Sequence, residues 1–377
     1  MSFAAIAARV RAGERLDLDD GVALFRHENL PELGTLANEV RERLHGRRTW
    51  FNVNTHLEAT NVCEASCAFC AFARLEEGKP GAYTMTLEEI FARVDALAPE
   101  VTEIHIVNGL NPNLPFSYYE DLLRGIRARR PALHLKCFTA VEIEYFAVKF
   151  GLSREAVLDR LIAAGLGSLP GGGAEIFADR VRKKICHDKV DADGWLAIHG
   201  LAHAKGLKTN CTMLYGHVET EEERVDHILR LRAQQDASGG FQCFVPLAFH
   251  PANSQLAKLS PPTAVDDLRV FAVSRLVLDN VPHLKAYWTM LGQKTAQTAL
   301  WFGADDLDGT VEEERIYHMA GARTPQALSR AELVRLVRAA GREPVERDTL
   351  YRIVREEPPE PSFRPGRLRV VTTEQPL

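Results

Sequence analysis

The most informative segment of the sequence is ATNVCEASCAFCAF, residues 59–72. Its three cysteines, Cys63, Cys67 and Cys70, follow one another at spacings of four and three residues. A short loop of this kind can bring three thiolates onto three irons of a cubane iron–sulfur cluster, which leaves the fourth iron open for a small molecule. The spacing therefore predicts a 4Fe–4S cluster that is held by these three cysteines.

A structural zinc ion is the alternative occupant of the same loop. Such a site takes four protein ligands in a closed tetrahedron, so the fourth ligand would have to come from elsewhere, for example from His56 or His105. The spacing alone leaves this alternative open. It would make the chain a zinc-stabilised binding protein without redox chemistry.

The composition argues against several other classes of protein. The chain has 377 residues, of which 46% are hydrophobic, and a formal net charge of −5, so no basic surface for nucleic acid is expected. No apolar stretch is long enough to span a bilayer, and the N-terminus shows no signal-peptide pattern. Seven cysteines in a chain of this length do not make a disulfide scaffold. We expect a soluble, cytoplasmic protein.

From residue 51 onward, short strand-like runs alternate about eight times with longer helical runs. This rhythm predicts an α/β fold, a (β/α)8 TIM-like barrel over residues 51–320, with a doubly wound open sheet as the alternative. Residues 1–50 show two or three amphipathic helices, which we expect to pack on the barrel. Residues 321–377 predict a C-terminal helix, an arm and a mobile tail rich in proline and charge.

Polar residues concentrate where the strand-like runs end. The runs themselves are apolar, and their ends read ATNVC, VNG, CFTA, LPGGGAEI, MLYGHVE, LAFHPAN, AYW and DDLDGT. The active sites of parallel barrels lie at this end of the strands. The sequence therefore predicts one polar, catalytic face.

The pattern C-x-x-x-C-x-aromatic-C after a first strand resembles the signature of radical S-adenosylmethionine (SAM) enzymes. In that superfamily the open iron chelates SAM, and one-electron reduction gives methionine and a 5′-deoxyadenosyl radical. The segments LPGGGAEIF, TMLYGHVET, SRLVLDNVPHLKAYW and DDLDGT further resemble aminofutalosine synthases of the futalosine route to menaquinone. The resemblance covers residues 10–355 approximately, and it extends to dehypoxanthine futalosine cyclases and deazaflavin-cofactor synthases.

The resemblance implies cofactor-binding roles at three strand ends. Phe69 would lie near the adenine of SAM, and Asn108 with Gly109 would bind its methionine part. Many relatives have Gly-Gly-Glu at that second place, so the contribution of the glutamate is in doubt here, and an ordinary turn is the alternative. Glu175 follows three glycines that would let a ligand lie on the backbone, and its carboxylate would accept the ribose hydroxyls. A salt bridge to a nearby arginine is the alternative role of Glu175.

The substrate that the resemblance implies, 3-[(1-carboxyvinyl)oxy]benzoate, carries two carboxylates. These need cationic or amide donors in a mostly apolar cavity. The candidate substrate-binding residues are Arg182, Asn210, Tyr215, His250 and Asn253. His217 is a candidate acid or base, or else a hydrogen-bonded structural histidine at a helix start.

The resemblance thus predicts that the 5′-deoxyadenosyl radical adds to the vinyl carbon of the enol ether and that 6-amino-6-deoxyfutalosine is formed. SAM would be consumed as a co-substrate, and a reductant such as a flavodoxin or ferredoxin would supply the electron. A related cyclase that abstracts hydrogen from a nucleoside-like substrate is the enzymatic alternative.

Overall fold

The structure, a computed structural model of the chain, describes residues 2–358, which form fifteen helices and eleven strands. The helices are α1 (Phe3–Ala12), α2 (Leu18–Phe25), α3 (Leu30–His45), α4 (Leu87–Ala96), α5 (Phe116–Arg129), α6 (Ala140–Phe150), α7 (Arg154–Ala164), α8 (Asp179–Ile185), α9 (Ala192–Ala204), α10 (Glu221–Ser238), α11 (Ala264–Val277), α12 (Trp288–Leu291), α13 (Gln293–Ala299), α14 (Ile316–Met319) and α15 (Arg330–Ala339). The strands are β1 (Arg48–Asn52), β2 (Asn54–Leu57), β3 (Glu103–Ile106), β4 (His134–Cys137), β5 (Ser168–Leu169), β6 (Lys208–Tyr215), β7 (Phe241–Ala248), β8 (His283–Leu284), β9 (Asp306–Gly309), β10 (Glu343–Arg347) and β11 (Ile353–Glu356).

Seven parallel strands form a curled sheet in the order β2-β3-β4-β5-β6-β7-β8. The strand β9 lies between its two edges: Asp306 bridges to Lys285 beside β8, and Glu312, just after β9, bridges to Thr55 in β2. The TIM-like α/β barrel is therefore confirmed. The doubly wound alternative is wrong, because that fold reverses its strand order at a switch point, whereas this order follows the chain from edge to edge.

A second sheet has the order β11-β10-β1-β9. Its strand β10 runs parallel to β1, and β11 runs antiparallel to β10. The loop between β10 and β11 contacts the amino ends of β7 and β8, because Gln242 donates to the carbonyl of Thr349 and Tyr351 stacks on His283. Arg347 at the end of β10 donates a hydrogen bond to Asp306 in β9 at 2.6 Å, and both side chains are buried. The predicted C-terminal helix is α15, and the predicted arm forms β10 and β11. Most of the predicted tail, residues 359–377, lies outside the described residues.

The three N-terminal helices lie within the segment where the sequence predicts two or three. The helix α2 contacts α10, and α3 contacts α11, so both pack on the outer layer of the barrel. Arg41 of α3 is buried and donates to the carbonyl oxygen of Ala304 and to the hydroxyl of Thr49. These bonds join the N-terminal segment to the first and last parts of the barrel.

A recurring capping box fixes where several helices begin. The helices α4, α6, α10, α11 and α15 each start after a Ser or Thr whose side chain accepts a bond from the backbone N–H three residues on. In each case an acidic side chain at that third position returns a bond to the cap, which satisfies two otherwise unpaired N–H groups. Four of these caps lie between a barrel strand and the helix that follows it, so they also position the loops at the polar end of the barrel.

The cysteines outside the 63–70 loop are buried. Cys137, Cys211 and Cys243 lie in β4, β6 and β7, as predicted for small apolar side chains, and Cys186 follows α8. All seven cysteines are free thiols. Within residues 2–358, no helix combines the length and the apolar character that crossing a membrane requires.

Replacing Arg347 tests how much the arm contributes to stability. Arg347→Ala leaves the carboxylate of Asp306 buried without its ion pair, so we expect the free energy of unfolding to fall by about 3–5 kcal/mol. Arg352→Ala is the matched control: it removes a pair with Asp348 whose arginine is 75% exposed, and a loss of about 1 kcal/mol or less is expected. Urea unfolding of both variants measures the difference, and equal losses would contradict this role of the arm.

Candidate active site

A cavity lies at the carboxyl ends of the barrel strands and continues down between the strands. Its mouth is lined by residues of the loops and helix starts, and its floor by residues at the strands themselves. We define the mouth as Cys63, Cys67, Cys70, Phe69, Asn108, Gly109, Glu142, Glu175 and Lys189. We define the floor as His56, His105, Asn210, Lys285 and Asp308.

The cysteine loop, residues 63–70, is held by backbone hydrogen bonds to distant segments. Cys63 donates its N–H to the carbonyl of Arg74, and the N–H and hydroxyl of Ser66 both donate to one oxygen of Asp188, at 2.7 Å each. All three cysteines of the loop line the cavity. The structure thus brings the three predicted ligands together on one wall.

The donor set fits an iron–sulfur cluster better than a zinc ion. A zinc site would need ligand atoms in a closed tetrahedron, and within residues 2–358 the three cysteines are not part of such a compact group of ligands. Burial raises the pKa of Cys63 and that of Cys67, the latter to about 12, so these thiols ionise only with a bound metal. The N–H of Ala73 points at the sulfur of Cys70 at 3.4 Å, as suits a thiolate ligand.

A glutamate that the sequence analysis did not select stands beside Asn108 and Gly109. One carboxylate oxygen of Glu142 accepts from the backbone and side-chain nitrogens of Asn108 at 3.1 and 3.3 Å, and the other accepts from the N–H of Thr139 at 2.7 Å. Gly109 is required because a Cβ there would meet the carbonyl oxygen of Val62. Burial raises the pKa of Glu142 to about 7 against these hydrogen bonds. In the sequence, the capping box that Thr139 and Glu142 form in CFTAVE could have indicated the position of this glutamate.

Glu175, which is buried, and Lys189, which is partly buried, form an ion pair in the mouth of the cavity. The ammonium of Lys189 donates to Glu175 at 2.8 Å and lies 4.9 Å from the centre of the Phe69 ring. Burial would lower the pKa of Lys189, but the charge of Glu175 raises it above its ordinary value. Glu175 adopts a left-handed backbone conformation, φ 46°, which is strained for a residue with a side chain. The arginine partner considered from the sequence is wrong: the partner is Lys189.

The glycines before Glu175 are explained by close packing. A Cβ on Gly171 would lie 2.8 Å from the backbone of Asn210, and one on Gly173 would collide with Val141. Both glycines also line the cavity. Their first requirement is thus the approach of neighbouring elements, which the sequence analysis did not foresee.

Four predicted site residues, Tyr215, His217, Arg182 and Asn253, do not line the cavity. The hydroxyl of Tyr215 donates a hydrogen bond to Asp267 at 2.7 Å. Successive side chains along β6 point to opposite faces. Because Leu214 lines the cavity, the side chain of Tyr215 points away from it. The ring of His217 is enclosed and bonds the carbonyl of Leu214 at 3.0 Å.

Arg182, the third of these residues, is buried and donates to the carbonyls of Ala174 and Val190. It therefore fixes the glycine loop, as His217 fixes the loop after β6. We correct the direct roles predicted for Arg182, Tyr215 and His217: the structure gives these side chains bonds within the protein.

Two of the remaining candidates reach the cavity and one does not. Asn210 and His250 line it, and the Nε2 atom of His250 bonds the carbonyl of Met290 at 3.0 Å. Asn253 is exposed and donates to the carbonyl of Met319 at 3.0 Å. Of the substrate-binding candidates, the structure therefore brings Asn210 and His250 together.

Two acidic residues that were also missed, Glu58 and Glu314, line the cavity. Burial and then the neighbouring charge of Glu314 raise the pKa of Glu58 to about 8. The Nδ1 atom of His318 lies 2.9 Å from a carboxylate oxygen of Glu314, and this hydrogen bond raises the pKa of His318 to about 9. Glu58 is therefore a neutral acid at pH 7, whereas Glu314 has a cationic partner.

Comparison with known families agrees with this site. Residues 57–231 match the Radical SAM superfamily, and residues 238–360 match the CofH/MqnC C-terminal region. Among solved structures, a methylornithine synthase superposes with a TM-score of 0.70 over 90% of this chain and 97% of that one, at 17% identity, which shows a shared fold. The chain belongs to the radical SAM superfamily, whose enzymes use a 4Fe–4S cluster and SAM.

Individual relatives show to which family within this superfamily the chain belongs. The chain is 50% identical over 348 residues to the aminodeoxyfutalosine synthase of Thermus thermophilus, covering 91% of this chain and 93% of that protein. It is 38% identical over 338 residues to a 5-amino-6-(D-ribitylamino)uracil–L-tyrosine 4-hydroxyphenyl transferase of Methanococcoides burtonii, covering 88% and 93%. The chain is thus a radical SAM enzyme of the family that includes aminodeoxyfutalosine synthase.

Glu58→Gln tests the neutral carboxylic acid. Glu58 keeps its proton up to about pH 8 in the folded chain but loses it near 4.5 when unfolded, so its contribution to stability falls as the pH rises between these values. We expect the free energy of unfolding of the wild type to fall relative to Glu58→Gln by about 1.4 kcal/mol per pH unit between pH 5.5 and 7.5. Anaerobic urea unfolding at several pH values measures it. A constant difference would show that Glu58 is ionised in the fold.

Proposed function

We propose that the chain is an aminodeoxyfutalosine synthase. It joins the 5′-deoxyadenosyl group of SAM to the vinyl carbon of 3-[(1-carboxyvinyl)oxy]benzoate, and methionine leaves. The adduct then gives up one carboxyl carbon as carbon dioxide, with one proton and one electron, and 6-amino-6-deoxyfutalosine is formed for menaquinone biosynthesis. The observation that carries the proposal is one cavity in which a three-cysteine mouth stands above a floor with a buried lysine. The 50% identity to a synthase of that name over almost the whole chain supports it.

Cys63, Cys67 and Cys70 would hold the cluster. When bound, the cluster supplies the electron that cleaves SAM into methionine and the 5′-deoxyadenosyl radical, and a small flavodoxin or ferredoxin would deliver that electron. The chain itself encloses the loop: Cys63 and Cys67 are each 8% exposed, and apolar residues such as Phe72 and Leu110 line the cavity around them. This enclosure would keep water and stray hydrogen donors from the reacting carbon.

The mouth residues would orient SAM. Phe69 would lie against the adenine, and Glu175, held by Lys189, would accept the ribose hydroxyls. Asn108 and Gly109 would receive the methionine part. Glu142 supplies a carboxylate at this same place, and this would compensate for the glutamate that the strand end VNG lacks. Binding SAM and the acid in one cavity would convert their encounter into a step between positioned groups.

A second candidate is a 4-hydroxyphenyl transferase of the kind found in Methanococcoides burtonii, which 38% identity favours less strongly. Such an enzyme would use tyrosine in place of the enol-ether benzoate. A radical cyclase that abstracts hydrogen is the third. All three share the chemistry at the cysteine loop, so the discriminating experiment concerns the second substrate.

Iron content tests the cluster ligands. Anaerobic reconstitution of the wild type should give about four irons per chain and a brown absorbance, and alanine at Cys63, Cys67 or Cys70 should reduce the iron to below about one per chain. Cys186→Ala is the matched control, because this buried thiol lies near Cys67 but does not line the cavity; it should keep the iron. One tightly bound zinc per colourless chain would contradict the assignment.

Product analysis tests the reaction. Reconstituted protein, dithionite, SAM and the enol-ether benzoate should give an adenosylated product whose mass is that of the 5′-deoxyadenosyl group plus the acid, less one carbon dioxide and one hydrogen. When tyrosine and 5-amino-6-(D-ribitylamino)uracil replace the benzoate, we expect neither an adenosylated product nor transfer of a 4-hydroxyphenyl group to the uracil. Release of 5′-deoxyadenosine in proportion to the benzoate consumed, without any joined product, would instead indicate hydrogen abstraction and would overturn the proposed transfer.

A further inference from the structure

The floor of the cavity carries polar groups beyond those predicted to bind the substrate. Lys285 has no role in the sequence-based predictions, and His56 and His105 appear there only as alternative zinc ligands. His56 and His105 occupy paired positions on the neighbouring strands β2 and β3, and their rings are 4.6 Å apart. His105 comes three residues before Asn108 on the same strand and its following loop, which corresponds to about 10 Å along a strand. The floor is therefore a separate layer below the mouth.

Both histidines have a ring nitrogen without a partner. The Nε2 atoms of His56 and His105 are shielded from solvent, and they make no hydrogen bond to any of residues 2–358. Burial lowers the pKa of each ring, so each is neutral and keeps one N–H group. A buried polar atom that stays unpaired costs about 1–3 kcal/mol. Both rings line the cavity, so a polar ligand bound against them would supply the missing partners.

Lys285 adds a fixed cation to the same floor. It is 3% exposed and donates to Asp308 at 2.8 Å, and an ammonium group has two further N–H donors. Asp308 is held in turn, since its N–H donates to Asp306 at 2.6 Å. Asn210 accepts from Gln242 through its oxygen, which leaves its NH2 group for a ligand. The same cavity is lined by the lysine, the amide and both imidazoles, so their donors are available to one ligand.

One side of the wall above the floor is apolar. Leu214 on β6 and the alternating residues Val245 and Leu247 on β7 line the cavity, because side chains two residues apart share a face of a strand. The ring of Tyr287 lines it as well. An apolar slot that ends in hydrogen-bond donors suits a flat ring bearing a carboxylate.

We propose that Lys285, His56 and His105 bind the ring carboxylate of an aromatic acid, with Asn210 beside them. The acid stands with its ring between Leu214, Val245 and Leu247, and its other arm points up to the cysteine loop. Asp308 holds Lys285 in place, so the carboxylate is directed to the lysine and the imidazole N–H groups. This assignment rests on the proposed function for the identity of the acid, which would be the enol-ether benzoate, and it makes the floor the part of the cavity that selects the substrate.

The test compares an acid with its amide in the reconstituted holoenzyme. Anaerobic calorimetry with 3-hydroxybenzoate and 3-hydroxybenzamide measures binding without turnover. We expect the acid to bind the wild type at least about tenfold more tightly than the amide, and Lys285→Met to remove this preference. Lys208→Met is the matched control, since it removes a lysine that is exposed at the start of β6 and should keep the preference.

A second pair of variants covers the case in which Lys285→Met does not fold. His105→Leu removes an imidazole donor and should weaken binding of the acid about three- to tenfold, whereas His105→Gln restores an N–H donor and should recover much of it. The same variants should raise the KM for the enol-ether benzoate more than they lower kcat. Iron content and melting temperature show that each variant is loaded and folded.

The outcomes separate the two proposals. If the wild type binds 3-hydroxybenzoate with the expected preference but makes no adenosylated product from the enol ether, the proposed function fails and the carboxylate site stands. If product forms but Lys285→Met and His105→Leu keep the affinity for the acid within about twofold, the carboxylate site is overturned and the proposed function stands. Equal binding of acid and amide to the wild type also overturns the site.

Discussion

Three buried ion pairs link strands at the base of the barrel. Lys136 pairs with Glu103, Lys285 with Asp308, and Arg347 with Asp306. Barrel interiors of this type are usually filled with branched apolar side chains, so charges here must be paired to be tolerated. Two of the pairs join β8, β9 and β10, where the backbone pairing of β8 with β9 is reduced to one isolated bridge. Side chains thus complete a closure that the strands alone leave weak.

This polar base leaves room above it for two different chemistries along one axis. Residues at the strands form the floor, and loops held by capping boxes and buried bonds form the mouth. Arg182 and His217 contribute from outside the cavity, by bonding the carbonyls of Ala174 and Leu214. The mouth provides thiols, a strained glutamate and its lysine partner, whereas the floor provides imidazole and ammonium donors. If the mouth binds the cofactor and the floor binds the substrate, as we propose, then each site can be changed by substitutions that leave the other in place.

Local patterns in the sequence predicted most of the fold and the cysteine wall, because three thiols in eight residues and the alternation of strands and helices need no long-range information. The failures have a physical cause. Tyr215 was chosen for its place at a strand end, but strand parity turns it toward Asp267. Lys189 and Lys285 were missed because their partners, Glu175 and Asp308, become neighbours only through loop geometry and strand register. Glu142 could have been found, since Thr139 three residues earlier marks a capping box.

Relatives at 50% and 38% identity bear names of different reactions over nearly the same span, so the fold does not decide the substrate. Radical generation needs the cysteine loop and SAM, which a whole superfamily uses. What remains to distinguish one acid or nucleoside from another is the set of inward positions on the strands. In this chain those positions combine Lys285 and an apolar wall with two histidines whose Nε2 atoms make no hydrogen bond within residues 2–358. Burying such groups without a ligand costs free energy. A carboxylate that accepts their hydrogen bonds would remove this cost, which would favour the binding of an acid.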